Sequence, residues 1–177
     1  LTSGANNTAV GGYALRYTTT TSNNTALGKS SLQNNVAADN TGVGCLSLAN
    51  NTTGANNTAV GKSALQESTT GSQNTAMGAH ALATATTTDN NTAFGYYAAF
   101  ATTGTANAAF GRSCMLNNTT GANNTAVGDA ALAQNTTASN NTAVGKSALG
   151  ANTTGTGNVA VGDQALDANT TGDQNVA

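Results

Sequence analysis

The chain contains no proline and no tryptophan, and only 7% of its 177 residues are charged and 4% aromatic. Each shortage excludes something. With so few large apolar and aromatic side chains, an ordinary globular core is not available. Five basic against seven acidic residues leave a net charge of −2, so there is no electrostatic footprint for nucleic-acid phosphates. No apolar run approaches the ~18 residues that a membrane span needs. Two cysteines, Cys45 and Cys114, cannot build a disulfide framework. A single histidine, His80, has no second base or ligand placed to join it, which argues against a catalytic triad or a metal site. The acidic residues Asp129, Asp163 and Asp167 are scattered rather than paired. Neither enzyme activity nor a cofactor is expected.

What is abundant is Asn, Thr, Ala and Gly, arranged with a period. The stretch NNTAVGKSAL at 56–65 returns letter for letter at 140–149, with near copies between. Low charge with few large apolar residues is a disorder signature, but a fixed period of this length marks a solenoid. The glycine of each copy serves as a marker: Gly11, Gly28, Gly44, Gly61, Gly78, Gly95, Gly111, Gly128, Gly145 and Gly162. Their spacing is 17 residues, except for 16 between Gly28 and Gly44 and between Gly95 and Gly111. The whole of 1–177 therefore reads as one repeat array, and it is expected to be a segment of a longer one.

Aligned on the markers, the repeats become columns. Four residues before each marker stands Asn: Asn7, Asn24, Asn40, Asn57, Asn74, Asn91, Asn107, Asn124, Asn141 and Asn158, with Asn175 in the truncated last copy. Immediately before the marker stands a larger apolar residue, from Val10 to Val161. Four residues after it stands Leu, or Ala99 and Met115. A second glycine recurs in TTG, as at Gly54 and Gly121. Seventeen residues with two large apolar seats are too few for a helical-hairpin repeat, and Asn, Thr and Gly favour helix poorly. Short strands separated by glycine turns fit, because glycine takes positive φ without a Cβ clash. The predicted fold is all-β, a parallel solenoid of about ten coils stacked ~4.8 Å apart. The Asn column predicts a hydrogen-bonded ladder up the stack, and the Val and Leu columns predict the buried stripe. That stripe is thin, which points to an oligomer.

The two shortened repeats are expected to lose their residue in a loop. In the second, Phe94 is expected to enlarge the Val seat while Ala99 empties the Leu seat, a volume exchange inside one coil. Four of the five basic residues follow a marker directly (Lys29, Lys62, Arg112 and Lys146), and Tyr96, Tyr97 and Arg112 concentrate on adjacent coils. Tyr and Arg are enriched at binding hot spots, so these three form the candidate recognition patch for a host-surface glycan or protein. Strand alternation forbids both tyrosines facing out from one regular strand; they belong at the bend after Gly95, or one is core.

The stretch NVAVGDQAL at 158–166 resembles the head repeats of YadA-like trimeric autotransporter adhesins. The longer form, NTAVGxxALxxNTTG, is similar to arrays in phage tail fibres and tail-fibre-like bacterial proteins. The resemblance covers essentially the whole chain. It implies a left-handed parallel β-roll, packing of three rolls into a homotrimer, and an extracellular location on a cell surface or virion fibre. By position it implies that Val159 and Val161 point inward and that Gly162 turns the chain. The function expected is a non-enzymatic shaft or head segment of an attachment fibre. Two alternatives are a self-assembling extracellular filament and an ice-binding solenoid, the latter suggested by the paired threonines at 52–53, 69–70, 136–137 and 153–154.

Overall fold

The computed structural model describes residues 3–177. It contains ten strands of three residues each: β1 (Thr8–Val10), β2 (Thr25–Leu27), β3 (Thr41–Val43), β4 (Thr58–Val60), β5 (Thr75–Met77), β6 (Thr92–Phe94), β7 (Ala108–Phe110), β8 (Thr125–Val127), β9 (Thr142–Val144) and β10 (Val159–Val161). They form one parallel sheet in chain order, with Thr over Thr and Ala over Ala from coil to coil. No helix occurs among the described residues. This is a parallel β-solenoid with a repeat of about 17 residues. Both shortened repeats lose their residue in the turn between the apolar seat and the ladder Asn, so the register survives: Thr25 still pairs with Thr41, and Thr92 with Ala108.

Strand alternation decides which residues are core. From β2 onward the middle residue of each strand is the inward one, and Ala26, Ala59, Ala76, Ala93, Ala109, Ala126, Ala143 and Ala160 are fully buried. The expectation that the Val column is interior is overturned. Val10, Leu27, Met77, Phe94, Phe110, Val127 and Val161 are exposed. Val159, which the adhesin resemblance places inward, also lies on the outer face, with Ala160 between it and Val161 turned in. Facing the alanines across the coil are Leu32, Leu48, Leu65, Leu82, Met115, Leu132 and Leu149, all buried. A coil this narrow has room for one methyl on the sheet side and one branched side chain opposite. The larger residue of the strand is left outside.

The volume exchange fails for the same reason. Phe94 is outside and stacks on Phe110 (ring centroids 5.3 Å apart), while Ala99 sits in the buried Leu column. A real exchange occurs elsewhere. Ser31 Oγ lies 2.9 Å from Ser47 Oγ and donates to the carbonyl of Gly42. At that level the strand carries Gly42 instead of Ala, and a Cβ there would fall 2.5 Å from Ser31 Oγ.

Each marker glycine follows its strand directly, with φ between 124° and 145°. A Cβ at Gly28 would lie 2.6 Å from the carbonyl carbon of Gly44, so both conformation and stacking demand glycine. The TTG glycines work differently. They do not have positive φ, but a Cβ at Gly54 would lie 2.6 Å from Asn51 Oδ1, and Gly155 stands in the same relation to Asn152. Most left-handed residues are not glycine at all. Three columns carry side chains at φ of roughly 48–65°, among them the buried Leu32, Leu65 and Leu132 at 49–50°. A left-handed Leu costs on the order of 1–2 kcal/mol, and full burial of its side chain contributes a similar amount.

Candidate functional site

Two features stand out from the repeat: a polar interior ladder and an outward aromatic patch. The ladder comes first because it fixes where the patch sits. Every expected Asn from Asn24 to Asn158 is buried. The side-chain oxygen of each accepts the backbone N–H of the Asn one coil on, as Asn57 Oδ1 does from Asn74 N at 2.9 Å. Its amide donates to a carbonyl of that same next coil, as Asn57 does to Gly71 O at 2.7 Å. The pattern runs unbroken from Asn7 to Asn158. The ladder is thus less a chain of carboxamides than a row of clips, each satisfying a backbone N–H that would otherwise be buried unpaired and bonding a carbonyl of the next coil.

A second ladder lies seven residues after each marker, and the columns singled out in the sequence do not include it. Asn51 Nδ2 donates to Asn35 Oδ1 at 2.6 Å, Asn135 Nδ2 to Asn118 Oδ1 at 2.7 Å, and Asn152 Nδ2 to Asn135 Oδ1 at 3.1 Å. Each of these asparagines also donates to the carbonyl of the TTG position in its own coil, as Asn51 does to Gly54 O at 2.8 Å. The first Asn of NTTG was the available signal. It is obscured because the same column reads Thr18, Ser68, Ala85 and Thr102 in other repeats.

On the outside, no aromatic ring is fully buried. Tyr96 and Tyr97 sit at the bend after Gly95, with Tyr96 54% exposed and Tyr97 half-buried. Tyr97 is the hub. Its ring stacks on His80 from the preceding coil (4.9 Å between centroids), meets Tyr96 edge-on (4.5 Å) and leans against Phe100 (5.0 Å). Arg112, on the next coil, donates to Asp129 Oδ2 at 2.9 Å in an exposed ion pair. His80 and Phe100 thus join the expected tyrosines, while Arg112 is engaged by Asp129. A second cation–aromatic group occurs on the first coil, where the Arg16 guanidinium lies 4.8 Å from the Tyr13 ring and 5.1 Å from that of Tyr17.

The two cysteines are free. Cys45 is exposed. Cys114 is buried in the small-residue column and donates to the Gly111 carbonyl at 3.1 Å, as Ser47 does to Gly44. Burial pushes its thiol up to about 12. Among the described residues there is no cluster of metal-ligating side chains, no pocket, and no helix long and apolar enough to cross a membrane. In the first threonine of each TT pair, the hydroxyl is turned along the stack: Thr52, Thr69, Thr136 and Thr153 donate to carbonyls of the next coil. The chain matches no protein-family model, no curated protein and no solved structure.

Proposed function

We propose that the chain is a non-enzymatic structural and adhesive segment of an extracellular homotrimeric attachment fibre. One observation carries this reading. The outer face of the sheet presents an apolar residue on every strand, from Val10 through Met77, Phe94 and Phe110 to Val161. A row of apolar side chains at every ~4.8 Å step is the kind of exposed stripe that neighbouring chains cover. Burying it would supplement the thin interior of alanines and leucines. The backbone-satisfying ladder supports a shaft role, because it stiffens each coil against the next without needing a thick core.

Light scattering on the purified protein should give three times the chain mass; a stable, well-folded monomer would overturn the trimer. The aromatic bend is where such a fibre would meet a glycan or protein receptor. Changing Tyr96 and Arg112 together to Ala should reduce attachment while leaving the melting temperature nearly unchanged. Undiminished attachment would make the segment a spacer.

A further inference from the structure

The second ladder is interrupted in the middle of the rod. Between Asn51 and Asn118 its column reads Ser68, Ala85 and Thr102, all essentially inaccessible to solvent. Four buried oxygens there have no hydrogen-bond partner: Asn51 Oδ1, Ser68 Oγ, Thr102 Oγ1 and Thr88 Oγ1, the last standing at the TTG position three residues beyond Ala85. Elsewhere in this column each Oδ1 accepts from the amide one coil on. Asn51 Oδ1 therefore faces Ser68, whose side chain is too short to reach it. At the far end Asn118 Nδ2 donates to Gly121 O but, unlike Asn135 Nδ2, to no side chain of the preceding coil. The interruption thus has an unsatisfied acceptor at one end and a spare donor at the other.

We infer that internal water molecules occupy this gap and carry the ladder's hydrogen bonds from Asn51 to Asn118. Distance favours it: groups one coil apart are separated by ~4.8 Å, and a water placed between them makes bonds of about 2.8 Å to each. Space favours it as well. Replacing Asn by Ala removes a whole carboxamide, and replacing it by Ser removes most of one, on the scale of a single water. The chemistry selects water over a cation, because the four oxygens are neutral and none belongs to a carboxylate. Polarity is consistent too. Water donates to Asn51 Oδ1, exchanges donor and acceptor roles with the hydroxyls, and accepts from Asn118.

A high-resolution crystal structure of the chain tests this directly, together with magnetic relaxation dispersion of bulk water to count long-lived internal molecules. Density is expected within hydrogen-bond distance of both Asn51 Oδ1 and Ser68 Oγ, and again beside Thr88 and Thr102. The variant Ser68→Asn restores one rung, its coil having Gly71 where the carboxamide needs room, so it should expel the first water and lower the long-lived count. Well-ordered side chains with no density at these oxygens would overturn the inference. So would a long-lived count that Ser68→Asn leaves unchanged. If that variant does not fold, the native crystal decides alone.

Discussion

The coils from Asn118 to Gly172 and those from Ser68 to Phe110 are built on the same repeat yet differ inside and out. In the later coils both Asn columns are filled and each carboxamide satisfies its neighbours. In the middle coils only the first column is intact, and the second offers short or apolar side chains among unpartnered oxygens. Outside, the contrast reverses. Five of the seven aromatic residues (Phe94, Tyr96, Tyr97, Phe100 and Phe110) lie on the middle coils, with His80 beside them. The lesson is that the fold needs only the first ladder. Its carboxamides answer for a backbone N–H that has no other partner, whereas the second ladder bonds its own side chains and a carbonyl that the first ladder already bonds. The first column therefore admits no exception, while the second has several.

The largest effect should come from breaking the column common to both regions. Asn74→Ala in the middle coils leaves the N–H of Asn91 and the carbonyl of Thr88 buried without their partner. At about 1–3 kcal/mol per orphaned group, the loss should reach about 2–6 kcal/mol in chemical denaturation. Asn124→Ala in the later coils should cost about half as much, because the carbonyl of Ala138 keeps the amide of Asn135 and only the N–H of Asn141 is orphaned. Equal losses would show that the second ladder gives the later coils no backup for the first.

Next come exchanges that make one region resemble the other. Asn135→Ser should cost about 1–3 kcal/mol by unpairing Asn118 Oδ1 and removing one of the two donors to Ala138 O. Ser68→Asn should instead add about 1 kcal/mol, the net worth of one ordinary buried hydrogen bond. A destabilised Ser68→Asn protein would mean that the middle coils have closed around the shorter residue.

Inside and outside of the coils can also be compared through the thiols. A maleimide at pH 8 should label the exposed Cys45 and spare Cys114, since only an accessible thiolate reacts. Because the folded pKa of Cys114 is raised from 9.0 to about 12, its protonated form is favoured in the folded state. That contribution is fully present below pH 9 and is lost as pH rises towards 12. Relative to a Cys114→Ala protein, stability should therefore decline with pH across that window; parallel curves would contradict the burial.

Smallest of all should be the surface pair. Arg112→Ala removes an ion pair whose side chains are 66% and 35% exposed, worth less than about 1 kcal/mol and weakened further by salt. A larger loss would mean that the patch holds the rod together rather than facing outward.

Much of this was legible without coordinates. The 17-residue period announced a stack of coils, the Asn column announced the ladder, and the marker glycines announced the turns that follow each strand. Alternation left two places for Tyr96 and Tyr97, the bend after Gly95 or one of them in the core, and the structure puts both at the bend. What misled was the size of a side chain. In a globular core the larger apolar residue of Thr-Ala-Val would be the buried one, yet Ala26 is inside and Leu27 is outside.

Periodicity by itself determined that this chain stacks, which residues stand above one another, and that the Asn column would be bonded along the stack, because a strict repeat places like over like. Only the tertiary structure decided which face of each strand is the interior, how left-handed leucines close the coil, and that His80 and Phe100 join the tyrosines. Those depend on the width of the coil and the path of its turns, and a column of letters carries neither.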